Sequence, residues 1–383
     1  MYIGPTMLVL LLLLSCVPAK VQVADSTAVD ETDADTDADA DGDADGDADT
    51  DIEDTAPDLP PQDLAFESVI GGRGGPAFSV DGEAYFIYGG TIAHVLDPRK
   101  GTDEQIVDTS PTGLNCVHSY TVEVLGHKVY VMGGQYGPDP NCDVPDGASN
   151  AVWEIDLDAR TWKKAASMAG AREVLQSGVV DGQIWVLGGW QPVDNVNGLN
   201  NHTVEVFNGT SWSTVSTSGA WQPVRSAAYA TAGSRIYLFG GCVEGQMTGI
   251  VCPCASTVVQ IFDTATRTFS QGSPMPFVGR HFSGQHAITR GDSIYLFGGA
   301  SDFSCCTYDD VARYDTTSDT WTLLTDRLTA PRKSVGAVIH EDELLVYGGI
   351  RALDGQCTDK GACDETCEAT GVGTNEIGTF VTP

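Results

Sequence analysis

The chain has 383 residues, 53 acidic against 20 basic side chains, a formal net charge of −33 and 11 cysteines. Such an excess of acid repels nucleic acid and anionic headgroups, which excludes both as expected partners. The chain opens with an apolar run at residues 7–14; it is too short to span a bilayer and suits the core of an export signal.

That run ends in Leu13-Leu14-Ser15-Cys16, which resembles the lipobox of bacterial lipoproteins. The resemblance implies that residues 1–15 are a lipoprotein-type signal peptide and that Cys16 becomes a lipidated N-terminus. An ordinary secretory signal with an incidental cysteine is the alternative. Val17 in place of Asp implies, by similarity to enterobacterial lipoproteins, the outer membrane. The expected location is therefore outer membrane or cell surface, otherwise secreted or periplasmic, with any membrane contact made through the lipid alone.

Residues 16–63 read as a tether. Between Asp25 and Asp63 stand seventeen carboxylates and no Lys or Arg, and from Asp33 to Asp51 every second residue is Asp. Such a segment buries too little apolar surface to offset its ordering entropy, and its charges repel, so it is expected to be extended and disordered, with a reach of up to roughly 150 Å. Asp37-Ala38-Asp39-Ala40-Asp41-Gly42 matches the start of a calcium loop, but the twelfth position is Ala48 instead of a bidentate Glu. Loose Ca²⁺ association is expected there, and no defined site.

From residue 64 onward one pattern repeats. Apolar segments run into a diglycine at Tyr85–Gly90, Val129–Gly134, Ile184–Gly189, Ile236–Gly241, Ile294–Gly299 and Leu344–Gly349. Steps between the first glycines are 44, 55, 52, 58 and 50 residues, a period that marks stacked supersecondary units. Three residues before each first glycine stand Phe86, Tyr130, Trp185, Tyr237, Tyr295 and Leu345. A small-residue strand precedes each of these segments, as in Ser177-Gly178-Val179-Val180. An alternating strand follows and closes on Asp156, Asn208, Asp263 or Asp315, then comes an aromatic, Trp162, Trp212, Phe269 or Trp321. Asp and Asn at a strand end nucleate tight turns. The unit is thus four antiparallel strands, A to D.

This pattern resembles the kelch repeat over about residues 64–383. The resemblance implies an all-β, six-bladed kelch-type β-propeller, with small residues of strand A near the axis. Blade 1 departs from the pattern after Asp97, where no D-strand aromatic follows, and blade 6 departs after Gly349. After the C strand of blade 6, expected at Asn375–Val381, no sequence remains for a fourth strand. The otherwise unassigned Leu64–Ile70 is therefore expected to complete that blade and close the ring, hiding an edge.

Setting Cys16 aside leaves ten cysteines, an even number that implies disulfides in an exported chain. Cys142, Cys242, Cys252, Cys254, Cys305, Cys306, Cys357, Cys363 and Cys367 follow a diglycine, in B–C loops, and Cys116 precedes strand A of blade 2. These loops and the D-to-A crossovers lie at the same end of an antiparallel blade, so the cysteines are expected to brace one face. Cys116 with Cys142 is the expected pair within blade 2. A thiolate metal cluster is the competing reading, although zinc sites favour C-x₂₋₄-C spacing.

Arg73, Arg172, Arg225, Arg280 and Arg332 each precede a diglycine by 15 to 18 residues, at the entry to strand A. Around a central channel they could grip a carboxylate or sulfate by bidentate pairing, with His281 beside Arg280. The alternative is that they fasten the blades. No G-x-S-x-G, H-E-x-x-H or phosphate loop is present, and no cofactor or resident metal is expected. Kelch-like propellers include galactose oxidase relatives, whose copper ligands do not map here, and periplasmic sialic-acid mutarotases, which are compact and six-bladed. The expected function is an exported binding module that recognises a glycan or an extracellular or envelope protein through its disulfide-braced face. The alternatives are a carbohydrate-active enzyme of the mutarotase type and a structural envelope protein.

Overall fold

Alternating apolar residues ahead of each diglycine form the second strand of a four-stranded antiparallel sheet, and this happens six times. The computed structural model describes residues 64–70, 75–88, 90–109, 117–136, 147–192, 198–243, 255–301, 306–352 and 369–381. The leader, Cys16, the acidic segment, Arg73 and all cysteines except Cys242 and Cys306 lie outside the described residues.

Strands A to D of blade 1 are Ala77–Val80, Glu83–Tyr88, Thr91–Asp97 and Thr102–Asp108. Blade 2 comprises Thr121–Leu125, Lys128–Met132, Val152–Asp156 and Thr161–Lys164. Blade 3 comprises Gln176–Val180, Gln183–Leu187, Val204–Phe207 and Trp212–Val215. Blade 4 has Ala228–Ala232, Arg235–Phe239, Val259–Asp263 and Thr268–Gly272, with Ser218–Gly219 added parallel to the last. Blade 5 has Ala287–Arg290, Ser293–Phe297, Val311–Asp315 and Thr320–Leu323. In blade 6, Gly336–His340, Glu343–Tyr347 and Thr374–Phe380 are completed by Leu64–Ile70, paired from Leu64↔Phe380 to Ile70↔Thr374. The ring therefore closes as the sequence implies. The A strands touch their neighbours in one complete cycle, 1-2-3-4-5-6-1, which places them around the axis.

The core is divided in the same way. Buried hydrophobic clusters lie between consecutive blades, for example Trp185 and Leu187 of blade 3 against Ile236, Leu238 and Phe262 of blade 4. The recurrent residue three before the diglycine is buried in every blade. It pairs across the sheet with a small or apolar residue of strand A in five blades, Ala77, Gly178, Ala230, Ile288 and Val338, and with Glu123 in blade 2. The outer aromatic packs on strand C: Phe207 with Trp212, Phe262 with Phe269 and Tyr314 with Trp321, at ring separations of 5.0, 4.6 and 4.9 Å. The Asp or Asn between them caps the turn, as when Asp263 Oδ1 accepts the Thr266 N–H at 2.9 Å. Blade 1, without that aromatic, still forms strand D, but with two register shifts against strand C.

Blades are joined through the diglycines. The second glycine donates its N–H to the chain entering the next blade: Gly134 to Arg172 O (2.9 Å), Gly189 to Val224 O (2.9 Å), Gly241 to Arg280 O (2.7 Å) and Gly299 to Arg332 O (2.9 Å). The first glycine leaves room for that same carbonyl; a Cβ on Gly240, at φ +61°, would stand 2.5 Å from Arg280 O and 2.9 Å from Ser256 O. Gly233 has nearly the same φ, +58°, with nothing within 4 Å of a Cβ.

The two positions separate backbone strain from overlap. Gly233→Ala is expected to cost about 1 kcal/mol, the left-handed strain alone. Gly240→Ala is expected to cost more by at least about 1–3 kcal/mol, the range for forced overpacking. Equal costs in denaturant titrations of the two variants would mean that the joint gives way freely.

Candidate functional site

The described arginines at the entry to strand A lie inside the protein. Arg172, Arg280 and Arg332 are 0, 2 and 0 % exposed. Each guanidinium returns to its own blade's diglycine: Arg172 Nη1 donates to Gly188 O at 3.2 Å, Arg280 Nη1 to Gly298 O at 2.9 Å and Arg332 Nη1 to Gly348 O at 2.9 Å. Each also pairs with an acid, Glu205, Asp310 and Glu376 respectively. Burial holds the three arginines below their ordinary pKa, and the partner acid opposes that shift. Arg280 is further enclosed by Phe277 and Tyr308, whose ring centroids are 4.2 and 4.0 Å away. These surroundings serve blade fastening, the second of the two roles open in the sequence.

Arg225 is out of register with this series. The carbonyl that accepts the preceding blade's glycine belongs to Val224, so Arg225 stands one position later and lies over the Trp190 ring at 4.9 Å. At the Glu205 and Glu376 position of strand C, blade 4 carries Gln260. Gln260 ties down the entering loop as those glutamates do, accepting Gln222 N–H at 2.8 Å where Glu205 accepts Ala169 N–H at 2.7 Å. The blade without an arginine at this position also lacks the acid that pairs with it, as the cost of an unpaired buried charge requires, and the neighbouring Arg225, itself buried, has Glu173 as its counter-charge. His281, next to Arg280, is buried and its backbone pairs with Ala300 in both directions at 2.9 Å.

Short ribbons rise from the diglycine end, including Trp190–Pro192 with Gly198–Asn200, Val224–Arg225 with Cys242–Val243, and Ile350–Ala352 with Ala369–Gly371. Cys242 is disulfide-bonded, and Cys306 is buried. No cluster of three or more potential metal ligands occurs among the described residues, and no helix among them is long and apolar enough to cross a membrane.

At this end a cavity of about 350 Å³ opens on the axis. A collar of backbone hydrogen bonds supports it: Val174 N–H to Ser119 O (2.8 Å), Ser226 to Val174 (3.0 Å), Phe282 to Ser226 (2.8 Å) and Ser334 to Phe282 (3.2 Å). Gln285 fastens the far side, its amide accepting Ala77 N–H and donating to Ala77 O, both at 2.7 Å. The lining combines Tyr88, Tyr120 and Tyr229 with His118, Ser119 and Thr121. None of the described arginines singled out in the sequence lines it.

Behind Thr121 and Tyr229 runs a hydroxyl chain that ends on an acid. Tyr229 OH and Thr121 Oγ1 are 2.7 Å apart, Thr121 Oγ1 and Ser177 Oγ 2.6 Å, and Ser177 Oγ donates to Glu123 Oε1 at 2.6 Å. Desolvation pushes the Glu123 carboxyl up to about 7, with the Ser177 hydrogen bond opposing it; no cation contributes. Tyr229 is pushed up to about 12, by burial first and then by the Glu123 charge. Glu123 escapes sequence reasoning because it is a lone acid. Its signal is positional: a carboxylate on the strand where other blades place Ala, Gly, Ile or Val.

Two expectations test this picture. Arg172→Val should cost about 3–5 kcal/mol by leaving Glu205 buried and unpaired. Adding Glu205→Gln, which copies Val224 and Gln260 of blade 4, should restore part of that loss; additive costs in a double-mutant cycle would disprove the coupling. For Glu123, the folded state retains a proton that the unfolded chain has released between the ordinary value of 4.5 and about 7. Stability is thus highest below 4.5 and falls as pH rises to about 7. Glu123→Gln should abolish this fall, gaining up to about 3 kcal/mol over wild type at pH 8, and parallel pH–stability curves would refute it.

Comparison with known proteins agrees with the geometry. Residues 116–349 match the model of the KLHDC2/KLHL20/DRC7 Kelch-repeats domain. The chain is 26 % identical over 225 residues to mouse Kelch-like protein 35, covering 59 % of this chain and 33 % of that protein. It is 21 % identical over 245 residues to bovine Kelch domain-containing protein 3, covering 61 % and 60 %. The match thus spans from a third to three fifths of these relatives' own length. The solved structure titled "Structure of YjhT" superposes with a TM-score of 0.53 at 18 % identity, over 67 % of this chain and 80 % of that one. The chain belongs to the kelch-repeat family of β-propellers.

Proposed function

We propose that the chain is an exported, lipid-anchored kelch-repeat binding module whose ligand, a glycan or a protein segment, enters the axial cavity. The observation that carries this reading is the cavity itself, about 350 Å³ with tyrosine rings beside small polar groups. That size and lining are typical of ligand sites, where a few polar groups orient what apolar surfaces bind. The cavity opens at the diglycine end, where Cys242 and Cys306 also lie, and loops held on a rigid scaffold commonly carry recognition. A disulfide framework around Cys242 would hold that rim. Burial of Arg172, Arg225, Arg280 and Arg332 favours a neutral or cationic ligand over the carboxylate or sulfate that a free arginine rim would select. A second reading, a carbohydrate-active enzyme of the mutarotase type, is favoured by Glu123, whose proton affinity near neutrality suits acid–base catalysis.

Thermal shifts of the oxidised full chain against sugars, sulfated glycans and divalent metals test the binding reading. A ligand at a hundredfold its dissociation constant adds about 2.7 kcal/mol of stability. Tyr120→Ala should weaken a cavity ligand at least tenfold; undiminished binding would place the site elsewhere. NMR of anomer exchange separates the readings, since turnover that disappears in Glu123→Gln marks an enzyme. Mass spectrometry of the mature N-terminus tests the anchor, and an unmodified Cys16 would remove it.

A further inference from the structure

Acids set within the blades have basic partners. Glu205 faces Arg172, Glu376 faces Arg332, and Glu154 lies 2.8 Å from Lys128 and 3.2 Å from Lys163. Glu123 is different. Its recorded hydrogen bond is to the neutral Ser177, and no cation among the described residues stabilises its charge. It nevertheless lies on an A strand at the axis, joined through the Ser177 hydroxyl to Thr121, which lines the cavity. An uncompensated carboxylate behind an open cavity, in a chain of net charge −33, attracts a positive ligand.

The lining narrows the kind of cation. Hard metal ions need several oxygen ligands, commonly more than one carboxylate, and no group of three or more metal-binding side chains occurs among the described residues. A primary ammonium has three N–H donors and no acceptor, which suits one carboxylate and neighbouring hydroxyl oxygens such as those of Thr121 and Tyr229. Its aliphatic stem and charge are also favoured by aromatic rings, here Tyr120 and Tyr229. We propose that the axial cavity is a receptor for a primary ammonium group, the side chain of lysine or the amino terminus of a protein partner, with Glu123 as its counter-ion. The proposal rests on the reading of the cavity as the binding site and names its ligand chemistry. It reverses the polarity expected from an arginine rim.

Binding should be linked to protons. A lysine ammonium, with a free pKa of about 10.4, stays charged through neutrality, whereas an amino terminus, at about 7.7–8.0, begins to lose its proton there. The carboxyl must ionise, so affinity should fall about tenfold per pH unit below about 7. Other titratable groups facing the cavity are Tyr120 and Tyr229, both neutral in this range because burial raises them, and His118 at the rim. Since His118 can also charge near neutrality, His118→Gln isolates the Glu123 slope.

Calorimetric titration of the oxidised full chain with Nα-acetyl-lysine methylamide, and with the same compound acetylated on Nε, tests the inference. At pH 8 the free amine should bind at least tenfold tighter than the acetylated form, and Glu123→Gln should lose that preference. That variant preserves side-chain size and the Ser177 hydrogen bond, so folding is not at stake. The pH slope should survive in His118→Gln. Equal binding of the two compounds, or a preference unchanged in Glu123→Gln, would overturn the assignment. Glucosamine against N-acetylglucosamine separates the sources: an amine preference confined to the sugar pair overturns the protein partner. If a neutral sugar fills the cavity while no amine is preferred, the ammonium assignment falls and the binding-module reading stands. If nothing binds in a way that Tyr120→Ala weakens, both fall.

Discussion

One joint organises this ring: the N–H of the second diglycine residue bonded to the carbonyl that begins the next blade. A side chain on the first glycine would displace that carbonyl, as the 2.3–2.7 Å approaches at Gly133, Gly188, Gly240 and Gly298 show. Both glycines of these pairs have φ between +56° and +92°, a conformation that costs an L-residue about 1–2 kcal/mol. The diglycine thus combines two demands that glycine alone meets, a left-handed turn and a close backbone approach. Arginine extends the joint. In blades 3, 5 and 6 the residue whose carbonyl receives the glycine also sends its guanidinium forward to its own blade's diglycine carbonyl. In these three blades the fastening is therefore relayed onward, with backbone and side chain alternating.

Blade 4 shows what the relay needs. With Val224 in place of arginine, Gln260 replaces the acid and the loop is still held by the same kind of side-chain bond. A buried ion pair tolerates removal of both charges far better than removal of one. The arginine is thus one solution to a packing problem whose fixed part is the glycine-to-carbonyl bond. This explains how a series of arginines with near-constant spacing comes to be structural: the spacing is set by the distance along the chain from blade entry to diglycine.

The architecture was legible because its signals are repeated and local. Six diglycines set the period, turn-forming Asp and Asn mark the ends of strand C, and Leu64–Ile70, a strand with no place in blade 1, completes blade 6. Site residues were less legible, for physical reasons. A spacing of 15 to 18 residues locates an arginine near the axis but cannot tell a rim from an interior. Hydrogen-bond register was needed to show that Arg225 occupies the position after Val224. Glu123 was overlooked because a single acid on a strand carries no motif; its meaning depends on which strand it occupies and on the lack of a basic neighbour. Functional asymmetry is hard to see in a repeat when attention goes to what recurs.

That asymmetry is concentrated in one blade. At its entry blade 2 has Val117-His118, paired in a three-stranded ribbon with Gln135–Tyr136 and Gly147–Ala148, where blades 3, 5 and 6 carry the buried arginine. The same blade supplies Glu123 at a position held elsewhere by small or apolar residues, and its segment from Val117 to Val122 forms one continuous wall of the cavity. Filling the axis with identical strands would give six equivalent small-residue walls and a channel without chemical direction. A departure in one blade opens space on one side and places a polar chain there, while apolar packing on both flanks of that blade preserves the ring. Glu123 is held on its A strand by the Ser177 hydroxyl, the last member of the polar chain that starts at the cavity. The acid least favourable to folding, a desolvated carboxyl held by the Ser177 hydroxyl and by no cation among the described residues, is therefore the one on which the proposed selectivity of the cavity rests.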